Sequence, residues 1–287
     1  MKGQFKGLLA IFFAATVWGV GGPYFRWVDA QGVGIFVHNA ICGLAAAPIL
    51  YLLARARGRS VRIAPKSLLA LVPLVLATVV TNYTMFHAFR ITTVANTVLL
   101  HYMTPVFVAL VAVPLFGERL TWLKVAALFT SMCGMLLVVV GGERGLQVGV
   151  GRGEALAFVS SISYTISIVA GRYLRGVEAG ASAFWHNVLL AAVCAALAAP
   201  GFHAPSAPVA GGIAVMGGVV GSLCTVMAYY YALRHTDASR VSIVALMEVV
   251  VGAVIGIAAF GEPGTWNVLL GGALILGGCV IVATEKN

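Results

Sequence analysis

The chain has 287 residues, of which 61% are hydrophobic and 9% charged, with a net charge of +9 and a mean hydropathy of +0.99. A soluble core cannot absorb that much apolar surface, so composition excludes an ordinary water-soluble domain and requires a bilayer. The positive balance does not indicate nucleic-acid binding, because Lys and Arg stand singly between apolar runs and form no basic face interleaved with aromatics.

A membrane-crossing helix needs roughly 20 mainly apolar residues. Ten such runs follow one another, at about 7–27, 33–54, 66–89, 95–116, 121–140, 153–174, 182–200, 209–233, 239–260 and 265–284. Met1, Lys2 and Lys6 followed by Leu8 to Ala15 resemble a signal peptide, but the run continues through Trp18 to Trp27, so it is expected to stay as the first helix. Internal Gly and Pro do not interrupt these spans, since packed neighbours satisfy freed backbone groups in a membrane. Cys42, Cys133, Cys194, Cys224 and Cys279 all lie in apolar runs without CxxC spacing, which fits small core residues and neither a disulfide framework nor a metal site.

Charge orients the spans. With both termini cytoplasmic, that side holds Lys2, Lys6, Arg55, Arg57, Arg59, Arg62, Lys66, Arg119, Lys124, Arg172, Arg175, Arg234, Arg240 and Lys286. The other side holds Arg26, Arg90, Arg144 and Arg152, a ratio of fourteen to four. The expected topology is therefore ten spans with both ends inside, in a bacterial inner membrane.

The chain also repeats itself. Shifting by 144 aligns residues 88–122 with 232–266 without a gap, with 11 identities in 35 positions. Five of the matches fall in FGERLTW (116–122) and FGEPGTW (260–266). Gly7/Gly153, Trp18/Tyr164 and Arg26/Arg172 extend the echo to the first helix of each half. The expected organisation is an N-terminal five-helix repeat, 1–146, and a C-terminal five-helix repeat, 147–287. Five is odd, so the second half enters from the opposite side. Inverted repeats of this kind place a substrate site near the midplane between the halves. Glu118 and Glu262 read as helix-end charges near the N-terminus of the following helix, with Thr121 and Thr265 as caps and Trp122 and Trp266 as interface anchors.

With its small-residue first helix ending in Trp18-Gly19, Pro105 in the fourth helix, and a Gly-Glu then Thr-Trp junction in each half, the sequence resembles the drug/metabolite transporter superfamily in its EamA-like ten-helix branch. Within it, the chain is similar to bacterial amino-acid exporters, including the aromatic type. The resemblance implies ten helices around a central cavity, with the fifth and tenth peripheral and available for a homodimer contact. It covers nearly the whole chain.

Ionisable residues inside a span are costly and mark function. Glu248, the only acid well inside a span, is expected to hold a substrate amino group or couple protons, the alternative being a neutral structural glutamate. His101, on a polar face with Thr97, Thr104 and Pro105, is a second coupling candidate. Tyr83 and His87 share one face of the third helix, four residues apart. Ser160, Ser163, Tyr164 and Ser167 stripe the sixth helix, and Ser222, Thr225 and Tyr229 the eighth, with Tyr230 beside it. Trp18, Tyr83, His87, His101, Tyr102, Tyr164, Trp185, Tyr229 and Glu248 form the predicted substrate set, with His38 and His186 as further in-span histidines. Gly19, Gly21, Gly22, Pro23 and Pro105 are expected hinges.

No Lys or Arg lies well inside a span, so phosphorylated substrates lack a fixed cation. Aromatics, hydroxyls, histidines and one carboxylate suit small zwitterions such as apolar or aromatic amino acids. No HxxxH, HExxH or DxxxD pairing supports a membrane enzyme, and no filter-like segment supports a channel. The expected protein is a secondary transporter working by alternating access, without cofactor or metal, whose partners are a small-molecule substrate and the lipid bilayer, as a monomer or homodimer. Proton-coupled export of other small metabolites or drugs is the alternative.

Overall fold

The computed structural model describes residues 2–141, 151–261 and 264–285. The described residues form ten helical segments long and apolar enough to cross a membrane, Gly3–Ala30, Ile35–Ala56, Pro65–Ile91, Asn96–Phe116, Trp122–Gly141, Arg152–Tyr173, Ala179–Gly201, Ala207–His235, Ala238–Ala259 and Trp266–Thr284. They match the ten apolar runs of the sequence to within a few residues. Arg144, Glu262, Pro263 and the expected repeat boundary at 146 lie outside the described residues.

Two spans are broken at equivalent places. The fourth comprises helices Val94–His101 and Thr104–Phe116, and the ninth comprises Ala238–Ala245 and Met247–Phe260. Shifted by 144, the breaks at 102–103 and 246 coincide. Pro105 has no amide hydrogen to give to the His101 carbonyl four residues back. The Thr104 hydroxyl fills that role, donating to His101 O at 2.7 Å. The ninth span breaks with Val249 at the position of Pro105, so proline is not what the two breaks share. Common to both is a tight turn, in which Val106 and Val249 donate to carbonyls three residues back, at 3.0 Å each. Both second segments end on a glycine in the left-handed region, Gly117 at φ 64° and Gly261 at φ 67°, a conformation that side chains with a Cβ resist.

Successive spans run in alternate directions, as contacts at the two ends require. One end gathers Glu118, Asp237, Arg172, Lys124, Thr121 and Glu285 from the junctions after spans four, six, eight and ten. At the other, Arg90 pairs with Asp29, Thr92 donates to Glu154, and Thr265 donates to Gly141 O. The packing is reciprocal between halves. The first span packs on the eighth and the sixth on the third, the fourth on the sixth and the ninth on the first. The second and seventh spans pack on each other, as do the fifth and tenth. The last pair meets backbone to backbone, since a Cβ on Gly134 would sit 2.5 Å from Gly271 O. Such small-residue contacts are how apolar helices associate where lipid removes the hydrophobic drive between them.

Candidate functional site

The fourth, sixth, eighth and ninth spans and the first bring most of the predicted substrate residues to one place in the middle of the molecule. Glu248 opens the second segment of the ninth span, where the first-turn position favours a carboxylate. Across from it stands Tyr102, at the break of the fourth span, its phenol directed at the Glu248 carboxyl. Tyr164, on the sixth span, lies near enough to interact electrostatically with the same carboxyl. His101 lies flat on Tyr164, with ring centroids 5.4 Å apart and planes 16° apart, and meets Tyr102 edge-on at 5.0 Å. Its Nδ1 is hydrogen-bonded to Ser160 Oγ at 2.8 Å.

From the other side come Trp18 and Tyr229, whose rings are 6.2 Å apart. The Trp18 indole donates to Thr225 Oγ1 at 3.0 Å. Thr225 stands where the eighth span returns to α-helix after a wide-turned π stretch, Ile213–Cys224, a distortion common near functional sites. Tyr229 leans on Tyr230 at 5.5 Å, and Tyr230 hydroxyl is hydrogen-bonded to His186 Nδ1 at 3.0 Å. His101, Tyr102 and Tyr229 are each under 8% exposed, while Trp18, Tyr164 and Glu248 are half-buried. Gly19 does not sit in free space as a flexible hinge would. A Cβ there would lie 2.6 Å from Val251 Cβ and 2.8 Å from Glu248 O, so its smallness lets the first helix touch the Glu248 turn. Gly22 has nothing within 4 Å, Pro23 sits in the first turn of Gly21–Ala30, and the chain leaves the helix between Gly19 and Gly21.

Three predicted residues are not in this cluster. Tyr83 is 39% exposed, stacks on Phe36 at 5.5 Å and meets its own neighbour His87 at a tilt, with centroids 4.3 Å apart. Both therefore lie at the rim, on the outward face of the third span. Trp185 donates its indole hydrogen to Val61 O at 2.9 Å, tying the seventh span to the loop after the second. Tyr and Trp spread their polar tips this way wherever one end is wet, and periodicity alone does not separate that use from a central one.

His186 and Tyr230, left out of the predicted set, touch the cluster. A signal for them was present in the sequence. The tetrad Phe-x-His-Asn occurs at 36–39 and again at 184–187. In each copy the histidine pairs with a tyrosine hydroxyl, His38 Nε2 with Tyr24 at 2.9 Å and His186 Nδ1 with Tyr230.

The basic end holds a second feature. Glu118 of FGERLTW does not stabilise the helix that follows it, as expected from the sequence, but the ninth span. Its carboxylate accepts from the amides of Ala238 and Ser239 at 2.8 and 3.2 Å and from the Ser239 hydroxyl at 2.6 Å. Arg172 Nε lies 3.7 Å away, Lys124 Nζ pairs with Asp237 at 2.9 Å, and Arg240 pairs with Glu285 at 2.9 Å. Three acids thus meet three bases, Glu118, Asp237 and Glu285 against Lys124, Arg172 and Arg240, and all but Asp237 are buried. The reading that no Arg or Lys lies well inside a span holds, since these bases stand in the end turns, but they are inside the protein. Burial alone would raise the Glu285 carboxyl; the Thr121 hydrogen bond and the cations of Arg240 and Lys124 outweigh it and hold the group below the ordinary carboxylate value. Thr121 and Thr265 cap their helices as expected, accepting from Lys124 N and Val268 N at 3.3 and 3.4 Å. Trp122 and Trp266 are 78% and 77% exposed, on the outer faces of the fifth and tenth spans.

Comparison with known proteins agrees with this architecture. The EamA-like transporter family matches twice, over residues 5–140 and 151–284. An uncharacterized transporter of Archaeoglobus fulgidus is 30% identical over 199 residues, 69% of this chain and 70% of the relative. A protein of known crystal structure superposes with a TM-score of 0.81 over 96% of this chain and 95% of its own, at 19% identity, which establishes likeness of fold. Ten spans, a break repeated in each half and two matches to one family leave a single assignment: the chain belongs to the EamA-like transporter family, as a multi-pass membrane transporter.

Proposed function

We propose that this transporter exports amino acids, preferring aromatic or apolar side chains, or similar small zwitterions, by alternating access. The observation that carries the reading is the Glu248 carboxyl directed at the Tyr102 phenol, with Tyr164 near enough to feel its charge, where spans of the two halves meet. A carboxylate among aromatic rings attracts an ammonium group twice over, by charge and by ring quadrupole. The segments starting at Thr104 and Met247 turn their helix N-termini toward the same region, which suits a substrate carboxylate. Trp18, Tyr164 and Tyr229 then supply flat apolar walls for a side chain. Reciprocal packing of the halves supports an inverted repeat with two similar states, one open to each side. The fourteen-to-four distribution of basic residues supports cytoplasmic termini in the proposed bacterial inner-membrane setting, which would put the buried ion-pair network at the inner end.

Proton-coupled export of other small metabolites or drugs is the second reading, favoured by the placement of the carboxyl beside the Tyr102 phenol, whose ring in turn meets His101 edge-on. Counterflow in proteoliposomes separates the two. A panel of labelled phenylalanine-like and branched amino acids, purines, sugars and polyamines is offered to vesicles loaded with each unlabelled compound. The proposal expects saturable exchange with the amino acids. Exchange confined to another class overturns the substrate, and flux that never saturates overturns the alternating-access mechanism.

A further inference from the structure

The basic end carries a cavity that the transport reading does not use. It measures about 500 Å³, within the size of small-molecule sites, and is lined by Arg172, Arg175, Gly176, Arg234, His235, Thr236 and Asp237. Three guanidinium groups therefore converge on one space from two junctions, those after the sixth and eighth spans. Arg172 is 8% exposed and fixed by donation to Leu233 O. Arg234 is anchored on Val177 O at 3.3 Å. The one acid in the wall, Asp237, is shared by Lys124 at 2.9 Å and by Arg172 and Arg240 at 3.8 Å each, so its single charge is divided among three cations and leaves the lining net positive.

A second observation asks for a ligand. Thr236 is 4% exposed, lines the cavity, and its hydroxyl has no hydrogen-bond partner. An orphaned buried hydroxyl costs free energy unless something in the space completes it. His235 directs Nδ1 to its own helix, to Tyr231 O at 2.8 Å, leaving Nε2 as its other hydrogen-bonding atom.

We infer that this cavity binds a phosphate group, taken either from an anionic lipid headgroup or from free phosphate in solution. Guanidinium forks match phosphate oxygens in geometry as well as charge, and the Thr236 hydroxyl supplies the neutral donor that such sites commonly add. A helix-end position in the headgroup layer, beside a basic junction, is where anionic lipids are captured between membrane helices. The anion would also lie against Arg172, whose other neighbours are Glu118 and Asp237, at 3.7 and 3.8 Å. Occupancy therefore draws on the same guanidinium that closes the ion-pair network.

The test uses the full chain, purified in mild detergent, with two arms. In one, native mass spectrometry counts phosphatidylglycerol retained against phosphatidylcholine; in the other, inorganic phosphate is titrated while thermal unfolding is followed. Arg175 and Arg234 are exposed, so the double variant Arg175→Gln, Arg234→Gln should keep its fold, checked by size-exclusion profile. Loss of two charge-assisted contacts should weaken binding at least about tenfold, equivalent to about 1.4 kcal/mol. Thr236→Val, which changes no charge, should weaken it by a smaller factor, and Arg90→Gln at the opposite end should change nothing. Preferential lipid retention lost in the double variant identifies the headgroup, and phosphate-dependent stabilisation lost in it identifies the free anion. Equal behaviour of wild type and double variant in both arms overturns the inference.

Discussion

Glu118 and Ser239 stand 121 positions apart, yet the serine donates both its hydroxyl, at 2.6 Å, and its amide, at 3.2 Å, to the glutamate. The contact joins the junction after the fourth span to the first turn of the ninth. The first half of the chain thus holds a helix end of the second. A carboxylate taken out of water survives there because backbone amides, a hydroxyl and the Arg172 guanidinium together replace its hydration.

Removing that acid leaves Arg172 and two helix-end amides buried without their partner. Glu118→Ala should cost about 3–5 kcal/mol, the range for breaking a buried charge pair. Ser239→Ala, which removes one hydrogen bond, should cost about 1 kcal/mol. Thermal unfolding in detergent measures both, and equal losses would sink the idea that charge burial dominates.

Transport should depend on Glu248 without stability doing so. Glu248→Gln keeps the shape and removes the negative charge, so uptake into proteoliposomes should fall at least about tenfold while the unfolding temperature holds. Tyr102→Phe should give an intermediate loss. If the Gln variant transports normally with an unchanged pH profile, Glu248 is structural.

Two glycines should respond in opposite ways. Gly134→Val drives a side chain into the Gly271 backbone and should destabilise by about 1–3 kcal/mol or more. Gly22→Ala meets nothing within 4 Å and should stay within about 0.5 kcal/mol of wild type. A transport defect in Gly22→Ala at unchanged stability would mark this site as a hinge.

Stability should fall on acidification partly through Glu285. Its folded-state carboxyl is held below the ordinary value, so its contribution is complete above the unfolded-state value of about 4.3 and is lost as pH drops through the folded-state value. Thr121, Arg240 and Lys124 are the groups facing it. Unfolding temperatures measured from pH 7 to 3.5 should decline below about pH 4.3, and Glu285→Gln should flatten part of that decline. An identical slope in the variant would show that other carboxyls carry it.

Position also separates the predicted substrate residues. Trp18→Ala, in the central cluster, should raise KM for a counterflow substrate well beyond the change in Tyr83→Phe or Trp185→Phe. The latter two should stay within roughly twofold of wild type, since removing groups remote from the transition state leaves transport kinetics nearly unchanged. A larger effect from Tyr83 than from Trp18 would place the substrate path along the third span.

Much of this was readable in order along the chain. Ten apolar runs became ten spans because a helix in lipid must satisfy every backbone group within itself, a constraint local to each run. The pair FGERLTW and FGEPGTW marked a duplication, and Thr121 and Thr265 cap the helices they precede, as a three-residue spacing requires. Composition alone indicated that the chain lives in a membrane, helical spacing grouped His101 with Thr97 and Thr104 and Tyr164 with Ser160, Ser163 and Ser167, and Glu248 stood out as the one acid well inside a span. What distance along the chain cannot encode was left to tertiary packing. Tyr83 and Trp185 have the same residue chemistry as Tyr102 and Trp18, and only the way the helices pack sends one pair to the rim and the other to the centre. Likewise nothing within residues 116–122 says that Glu118 will cap a helix starting at 238. That choice was made when the two halves closed on one another, because burying a carboxylate is tolerable only where amides and cations from distant segments converge on it.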